Sequence, residues 1–224
     1  NKIIGYGESL VGIYSPELIS PITKYLSNYV VGNQLNSLDF LDKLNKIPFI
    51  GYSGLMQSII SGIELAVLDL IGKIEKKPVY ELFNSLDNKE IQCYYSGGSV
   101  AFSENEIEDD VLKMKGLGFN AFKMRVGLQE WNKDIKRVSK AYEVLKGDKL
   151  MVDAIMGTLV TKWTIDDAVT KIKDLENFNL EWIEEPLSPS CLSDYKKLCR
   201  VSDIPVAMGE AYSGFIHFEN IISN

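Results

Sequence analysis

The chain has 224 residues, of which 46% are apolar and 25% charged, an ordinary composition for a globular protein that buries a sizeable core. Its 24 Lys and Arg against 31 Asp and Glu leave a net charge of −7, with the acids dispersed along the chain, which argues against nucleic acid as a partner. Charge interrupts every apolar stretch within about 18 residues, and the start lacks the basic, apolar, small-residue order of a secretory signal, so a cytoplasmic protein with no membrane partner is expected.

In chain order, Lys2 to Glu8 reads as the second half of a β-hairpin whose first half is absent. Ser20 to Tyr29 and Leu38 to Leu44 read as helices. Ile59, Ile63, Ala66, Val67, Leu70 and Ile71 recur at helical spacing, and Gly72 with Pro78 marks the stop, which predicts an amphipathic helix on a core. The polar turn Asn84 to Lys89 separates two rhythms, and we place a domain boundary there, giving domains 1–88 and 89–224. Beyond it, short apolar strands alternate with charged helical stretches. The predicted strands are Ile91 to Ser96, Ala121 to Val126, Leu150 to Ala154, Leu180 to Glu184 and Val206 to Gly209. The predicted helices are Glu104 to Leu117, Glu130 to Leu145, Thr164 to Leu175 and Leu192 to Val201. This alternation predicts βαβ units with a parallel sheet, either open and doubly wound or closed as a barrel.

Charge sits where such strands end. Lys123 and Arg125 interrupt the second strand, Asp153 ends the third, Glu184 and Glu185 end the fourth, and Glu210 follows the fifth. Successive members are separated by one βα unit of about 30 residues, so they occupy equivalent positions. Carboxyl ends of neighbouring parallel strands lie side by side, which would bring Asp153, Glu184 and Glu210 together. Three converging carboxylates repel one another unless a hard divalent cation takes their oxygens, and magnesium is the natural candidate. With a single histidine, His217, and three scattered cysteines, Cys93, Cys191 and Cys199, neither a zinc site nor a disulfide framework is expected. Lys123 and Arg125 leave the same face of their strand, and the fixed charge of Arg125 would lower the pKa of Lys123 and make it the member able to act as a base. That pairing suits proton abstraction beside a metal-bound carboxylate.

These residues resemble the enolase superfamily, and within it the mandelate racemase subgroup. The resemblance rests on Gly5 to Ser9, Gly62 to Lys73 with Pro78 to Leu82, Lys123-Met124-Arg125, Val152-Asp153-Ala154, Trp182 to Pro186 and Met208-Gly209-Glu210, in that order. It implies a (β/α)₈ TIM-type barrel preceded by part of an α+β capping domain, Mg²⁺ held by Asp153, Glu184 and Glu210, and a small carboxylate substrate, in particular a sugar acid. It further implies a lyase that dehydrates acid sugars, with racemisation or epimerisation as the alternative, in a homo-oligomer. Glutamate at the third ligand position, Glu210, favours this subgroup over the muconate lactonising one.

Three departures accompany the likeness. The second position of the family's Lys-x-Lys motif is Arg125, which leaves Lys123 as base or as an auxiliary cation, with Arg125 holding substrate. The segment Ile155 to Lys162 after Asp153 is longer than the usual loop and lacks its common asparagine, so its substrate contacts are expected to be unusual. From Ile91 onward only five strands are readable, whereas a complete barrel takes roughly 250 residues, so the chain is expected to be part of a larger enzyme. A non-catalytic metal-binding or assembly module on the same fold is the competing class. A nucleotide-binding reading would rest on Ser96-Gly97-Gly98-Ser99, which is too short for the fingerprint. Glu8 is read as solvated, Glu185 as structural, His217 as a surface or helix-packing residue, and Cys93 as a core thiol.

Overall fold

The computed structural model describes residues 2–34, 43–44, 46–48, 50, 53–83 and 90–223. The predicted turn 84–89 and most of the predicted helix 38–44 lie outside the described residues. The chain divides into two compact units, residues 1–90 with Tyr212–Ser223, and Ile91–Ala211. The contact pattern thus groups the last helix with the N-terminal segment, whereas the sequence pattern places it after the fifth strand of the barrel portion.

In the first unit, helices α1 (Val11–Tyr14), α2 (Ile19–Val30) and α3 (Gly54–Glu75) are joined by 3₁₀ turns at Pro16–Leu18 and, after α3, Val79–Phe83. By length and composition alone, with a mean hydropathy of 1.6, α3 could cross a membrane. Its Ile59 and Ile60 are buried with Val11 and Leu26 in one apolar cluster. Each such side chain contributes about 1.5–3 kcal/mol by leaving water. The helix ends where Lys76 turns left-handed (φ 56°) and Lys77 N–H donates to Gly72 O.

Residues 2–8, read as half of a hairpin whose other half is absent, form no strand in this chain. A strand needs a partner for its ladder groups, and here side chains of α3 take that role. Tyr6 N–H donates to Asp69 Oδ2 at 2.7 Å, and Lys73 Nζ donates to Ile4 O at 3.0 Å. Glycine makes this contact possible. A Cβ on Gly5 would lie 1.9 Å from Ala66 O, and one on Gly7 would lie 1.9 Å from Gly62 O. The Gly-x-Gly pattern therefore serves close approach of an extended segment to a helix backbone.

The second unit holds β1 (Tyr95–Ser96), α4 (Glu104–Gly116), β2 (Ala121–Arg125), α5 (Trp131–Leu145), β3 (Lys149–Asp153), α6 (Ile165–Leu175), β4 (Ile183–Glu184), α7 (Leu192–Val201) and β5 (Val206–Ala207). Helix α8 (Phe215–Ser223) follows, in the first unit. The five strands form one parallel sheet in the order β1-β2-β3-β4-β5, each beside its sequence neighbour, the stepwise order of a TIM-type barrel wall rather than a doubly wound sheet. The regular ladder is shorter than predicted at β1, β4 and β5. Pairing nevertheless extends beyond β4, because Glu181 N–H donates to Leu150 O. Cys93, expected in the core, is exposed, since β1 begins only at Tyr95.

Local sequence explains the helix starts. Ser103 and Glu106 form a capping box at α4, as do Thr164 and Asp167 at α6. The backbone N–H groups given to Glu106 and Asp167 hold both carboxyls below their usual range. Between helices and sheet, Phe122, Met124, Val138, Leu150, Val152, Ile172 and Ile183 form a dry core. Strand residues alternate between this layer and the opposite face, which is where Lys123, Arg125 and Asp153 fall.

Gly7→Ala is expected to destabilise the chain by roughly 1–3 kcal/mol through overpacking against Gly62. The midpoint of urea denaturation reads this loss, and an unchanged midpoint would contradict the close approach.

Candidate active site

Register builds the site. Arg125 pairs with Asp153, Asp153 with Glu184, and Glu184 with Ala207, so three charged residues stand in one row across β2, β3 and β4. Lys123 lies two residues before Arg125, opposite Met151 and Ser96. Its ammonium reaches up the strand face to Glu184 Oε2 at 2.6 Å and lies 3.5 Å from Asp153 Oδ2. Lys123 and Asp153 are buried, Glu184 and Arg125 half-buried, and Glu210 exposed.

The remaining contacts orient these groups. Asp153 Oδ1 accepts from Ile155 N–H at 3.0 Å, in a turn where Ile155 is left-handed (φ 50°). Glu184 Oε2 also accepts from the indole of Trp182 at 3.4 Å, and Trp182 stacks edge-on with Tyr94. Tyr94 in turn presents its ring 5.7 Å from Lys123 Nζ, so an aromatic pair walls this side of the cation. Arg125 Nη1 donates to Gly97 O at 3.3 Å. Glu210 comes three residues after Ala207, past Gly209 at φ 137°.

Electrostatics follow from crowding. Burial raises the pKa of Asp153, reinforced by Glu184 and opposed by the Ile155 hydrogen bond, Lys123 and Arg125. Burial also raises Glu210, reinforced by Asp153, Glu185 and Glu184. For Lys123, burial works against the charged form, but the bond to Glu184 and the charges of Asp153 and Glu184 together outweigh it, and its pKa is raised. This corrects the sequence argument that Arg125 would depress Lys123. Two carboxylates touch or nearly touch the ammonium, so they decide its charge, and Lys123 stands as a cation.

All five predicted site residues belong to the second unit, and β2, β3 and β4 bring four of them together. Among the described residues no group of three acidic, histidine or cysteine side chains closes around a metal-sized space. Lys123 takes the position between Asp153 and Glu184 instead.

Sequence reading missed several contributors. Tyr94 and Trp182 stand two residues before Ser96 and Glu184, a same-face spacing that could have flagged both. It also missed Asp134 and Arg137, a fully buried pair on the first turns of α5. Asp134 Oδ2 accepts from Gly127 N–H, while Arg137 donates to Arg125 O and Ser99 O. The pair thereby fastens the ends of β1 and β2 to α5. Gly97 and Gly98, weighed above as a nucleotide fingerprint, serve packing. A Cβ on Gly98 would lie 2.3 Å from Met124 Cβ, and Gly98 N–H donates to Asp110.

The long loop after β3 is pinned at both ends. Met156 is buried, Trp163 packs edge-on against Trp131, and Lys162 Nζ donates to Met156 O and Gly157 O. Gly157 borders the acids, since a Cβ there would lie 3.5 Å from Glu210 Oε1 and 3.3 Å from Glu185 Oε2. His217 lies in α8 beside the ring of Tyr212. Glu8 is exposed.

The profile of the enolase C-terminal domain-like family matches residues 106–224, and the chain belongs to that family. Among relatives, 3,6-anhydro-alpha-L-galactonate cycloisomerase of Streptomyces coelicolor is 32% identical over 179 residues, covering 79% of this chain and 48% of the relative. Arabinonate dehydratase of Saccharolobus solfataricus is 28% identical over 222 residues, covering 96% of this chain and 58% of the relative. L-talarate/galactarate dehydratase of Salmonella typhimurium, solved with Mg and L-lyxarohydroxamate, superimposes with a TM-score of 0.87 at 28% identity, over 98% of this chain and 56% of that one. The chain spans about half the length of the curated relatives it matches.

Arg137→Met leaves Asp134 buried without its counter-charge and is expected to cost about 3–5 kcal/mol. Thermal and urea denaturation measure this, and a loss below 1 kcal/mol would mean that the pair is not fastening the strands.

Proposed function

We propose that the protein is a Mg²⁺-dependent enzyme that abstracts the α-proton of a carboxylate substrate, and specifically that it dehydrates a sugar acid. The observation that carries this reading is the row Arg125, Asp153 and Glu184, with Lys123 beneath it and Glu210 beyond it. Relatives that are acid-sugar dehydratases, one of them solved with Mg, support the substrate class and the metal.

The donor set fits a hard divalent cation. Only carboxylate oxygens are offered, and mutual repulsion together with burial already raises Asp153 and Glu210 toward protonation. Asp153, Glu184 and Glu210 would hold the ion, whose chemistry is to polarise the substrate carboxylate and stabilise the charge that develops on it. Lys123 and Arg125 are cations on the same face, placed to receive a carboxylate and to lower the energy of the enediolate left when the α-proton departs. Arg125 keeps its charge at any working pH and presents a planar fork suited to a carboxylate. Tyr94 and Trp182 shield Lys123 from water on one side, which strengthens its interaction with developing negative charge. In dehydration a base takes the α-proton, an acid returns one proton to the departing β-hydroxyl so that it leaves as water, and the resulting enol becomes the keto product.

The cycloisomerase relative favours a second reading, isomerisation through the same first step. The two part at the product, because dehydration releases water and isomerisation conserves mass.

With Mg²⁺ in deuterium oxide, a panel of aldonic and aldaric acids is expected to include members whose α-proton exchanges, and mass spectrometry of the product separates the two readings. Asp153→Asn should abolish that exchange, and full exchange in this variant would remove Asp153 from the metal site. Lys123→Met should lose at least 100-fold, the scale of one such electrostatic group, while Lys123→Arg retains measurable exchange because the charge is kept. Equal loss in both variants would reassign Lys123 as the base.

A further inference from the structure

Glu185 lies within the same cluster of strand ends, yet nothing above uses it. It is fully buried and holds a left-handed backbone (φ 46°), a conformation that a non-glycine residue adopts only when its surroundings demand it. Its surroundings are specific. The backbone of Glu185 ties three strand ends together, because its N–H donates to Ala207 O at 2.9 Å and its C=O accepts from Met156 N–H at 3.0 Å. Its side chain does more. Oε1 accepts from Gly209 N–H at 2.7 Å, one residue before Glu210, and Oε2 lies 3.2 Å from the hydroxyl of buried Tyr195, whose one proton is shared between this oxygen and Leu187 O at 2.8 Å.

Glu210 stands three residues past Ala207, the last residue of β5, and Gly209 before it sits at φ 137°, so the β5 ladder itself does not reach it. The Gly209 amide, one residue before Glu210, is bonded to Glu185. The same carboxyl faces Gly157 on the loop after β3, where a Cβ would lie 3.3 Å from Oε2.

We infer that Glu185 is the positioning residue for Glu210. Its carboxyl, anchored by Tyr195, pins the Gly209 amide and so presents the Glu210 carboxylate to the cluster formed by Asp153 and Glu184. The inference rests on the proposed Mg²⁺ site and adds a requirement that the site reading does not contain. What matters at position 185 is an acceptor atom at full glutamate reach, not a negative charge.

The test is Mg²⁺ binding to the full chain by titration calorimetry, with the metal alone as probe and with melting temperatures recorded in parallel. Glu185→Gln keeps a carbonyl acceptor at the same reach and removes the charge, so its Mg²⁺ affinity should stay within about threefold of the parent, since this change leaves the orienting bond intact. Glu185→Asp keeps the charge, tolerates the left-handed backbone, and withdraws the acceptor by one methylene. Its affinity should fall by about 10–100-fold, the usual cost of losing a group that orients a metal ligand. The reverse order, or equal affinities in all three proteins, overturns the inference. Should Glu185→Asp fail to fold, a loss of tenfold or more in Glu185→Gln overturns it by itself, and retained affinity in that variant supports it. If the parent chain takes up no Mg²⁺, the site reading fails and this inference with it. If the parent binds and only melting temperatures move, Glu185 is structural and the site reading stands.

Discussion

The parallel register that sets Arg125 opposite Asp153, and Asp153 opposite Glu184, is the constraint on which the rest of the site depends. In a parallel sheet, paired residues face the same side, so a shift by one residue in either strand would turn its charge into the apolar layer. Phe122, Met124, Val152 and Ile183 occupy that layer and are fully buried. Burial of these four therefore excludes one-residue slips and keeps the charged residues on the opposite face.

The charges assembled there are expensive to bury and are handled by mutual compensation. Lys123 takes up Glu184 and approaches Asp153, and the aromatic pair Tyr94 and Trp182 closes over the contact. This arrangement satisfies the buried ammonium, yet three carboxylates still face two cations, and Asp153 and Glu210 respond by shifting toward their neutral forms. An added divalent cation relieves that imbalance, which gives the proposed metal site a basis in the chain's own electrostatics.

Around this cluster, buried polar groups hold backbone. Asp134 and Arg137 bind the ends of β1 and β2 to α5, and Glu185 does the same for the ends of β3, β4 and β5. Each is nearly inaccessible to solvent, and each has at least one hydrogen bond to a backbone amide or carbonyl at or just past a strand end. Such groups make strand ends rigid where the functional side chains project, because a misplaced amide would leave a buried charge unsatisfied.

Much of this was legible in the chain alone. Alternating strands and helices, their order, and a charge near the end of each of the last four strands follow from period and spacing, because apolar burial and strand pleating act locally. The expected equivalence of the charged positions holds only for Arg125, Asp153 and Glu184, since Ala207 is the register partner of Glu184 and Glu210 stands three residues further on. The contacts of residues 2–8 were not legible, since the half-hairpin reading names no partner within the chain, whereas Asp69 and Lys73 of α3 bond Tyr6 N–H and Ile4 O. The protonation of Lys123 was misjudged because its sequence neighbour Arg125 was visible, whereas Glu184, 61 residues away, was not. Asp134 and Arg137 carry no pattern that separates them from surface acids and bases, and Glu185, read as structural from its place beside Glu184, gives no sign in the chain of which amide it holds. Sequence by itself determined the fold class and which charges stand at the strand ends. Tertiary structure alone decided which of those charges touch, and hence their ionisation, because Coulomb and desolvation energies depend on distance and burial that spacing along a chain does not contain.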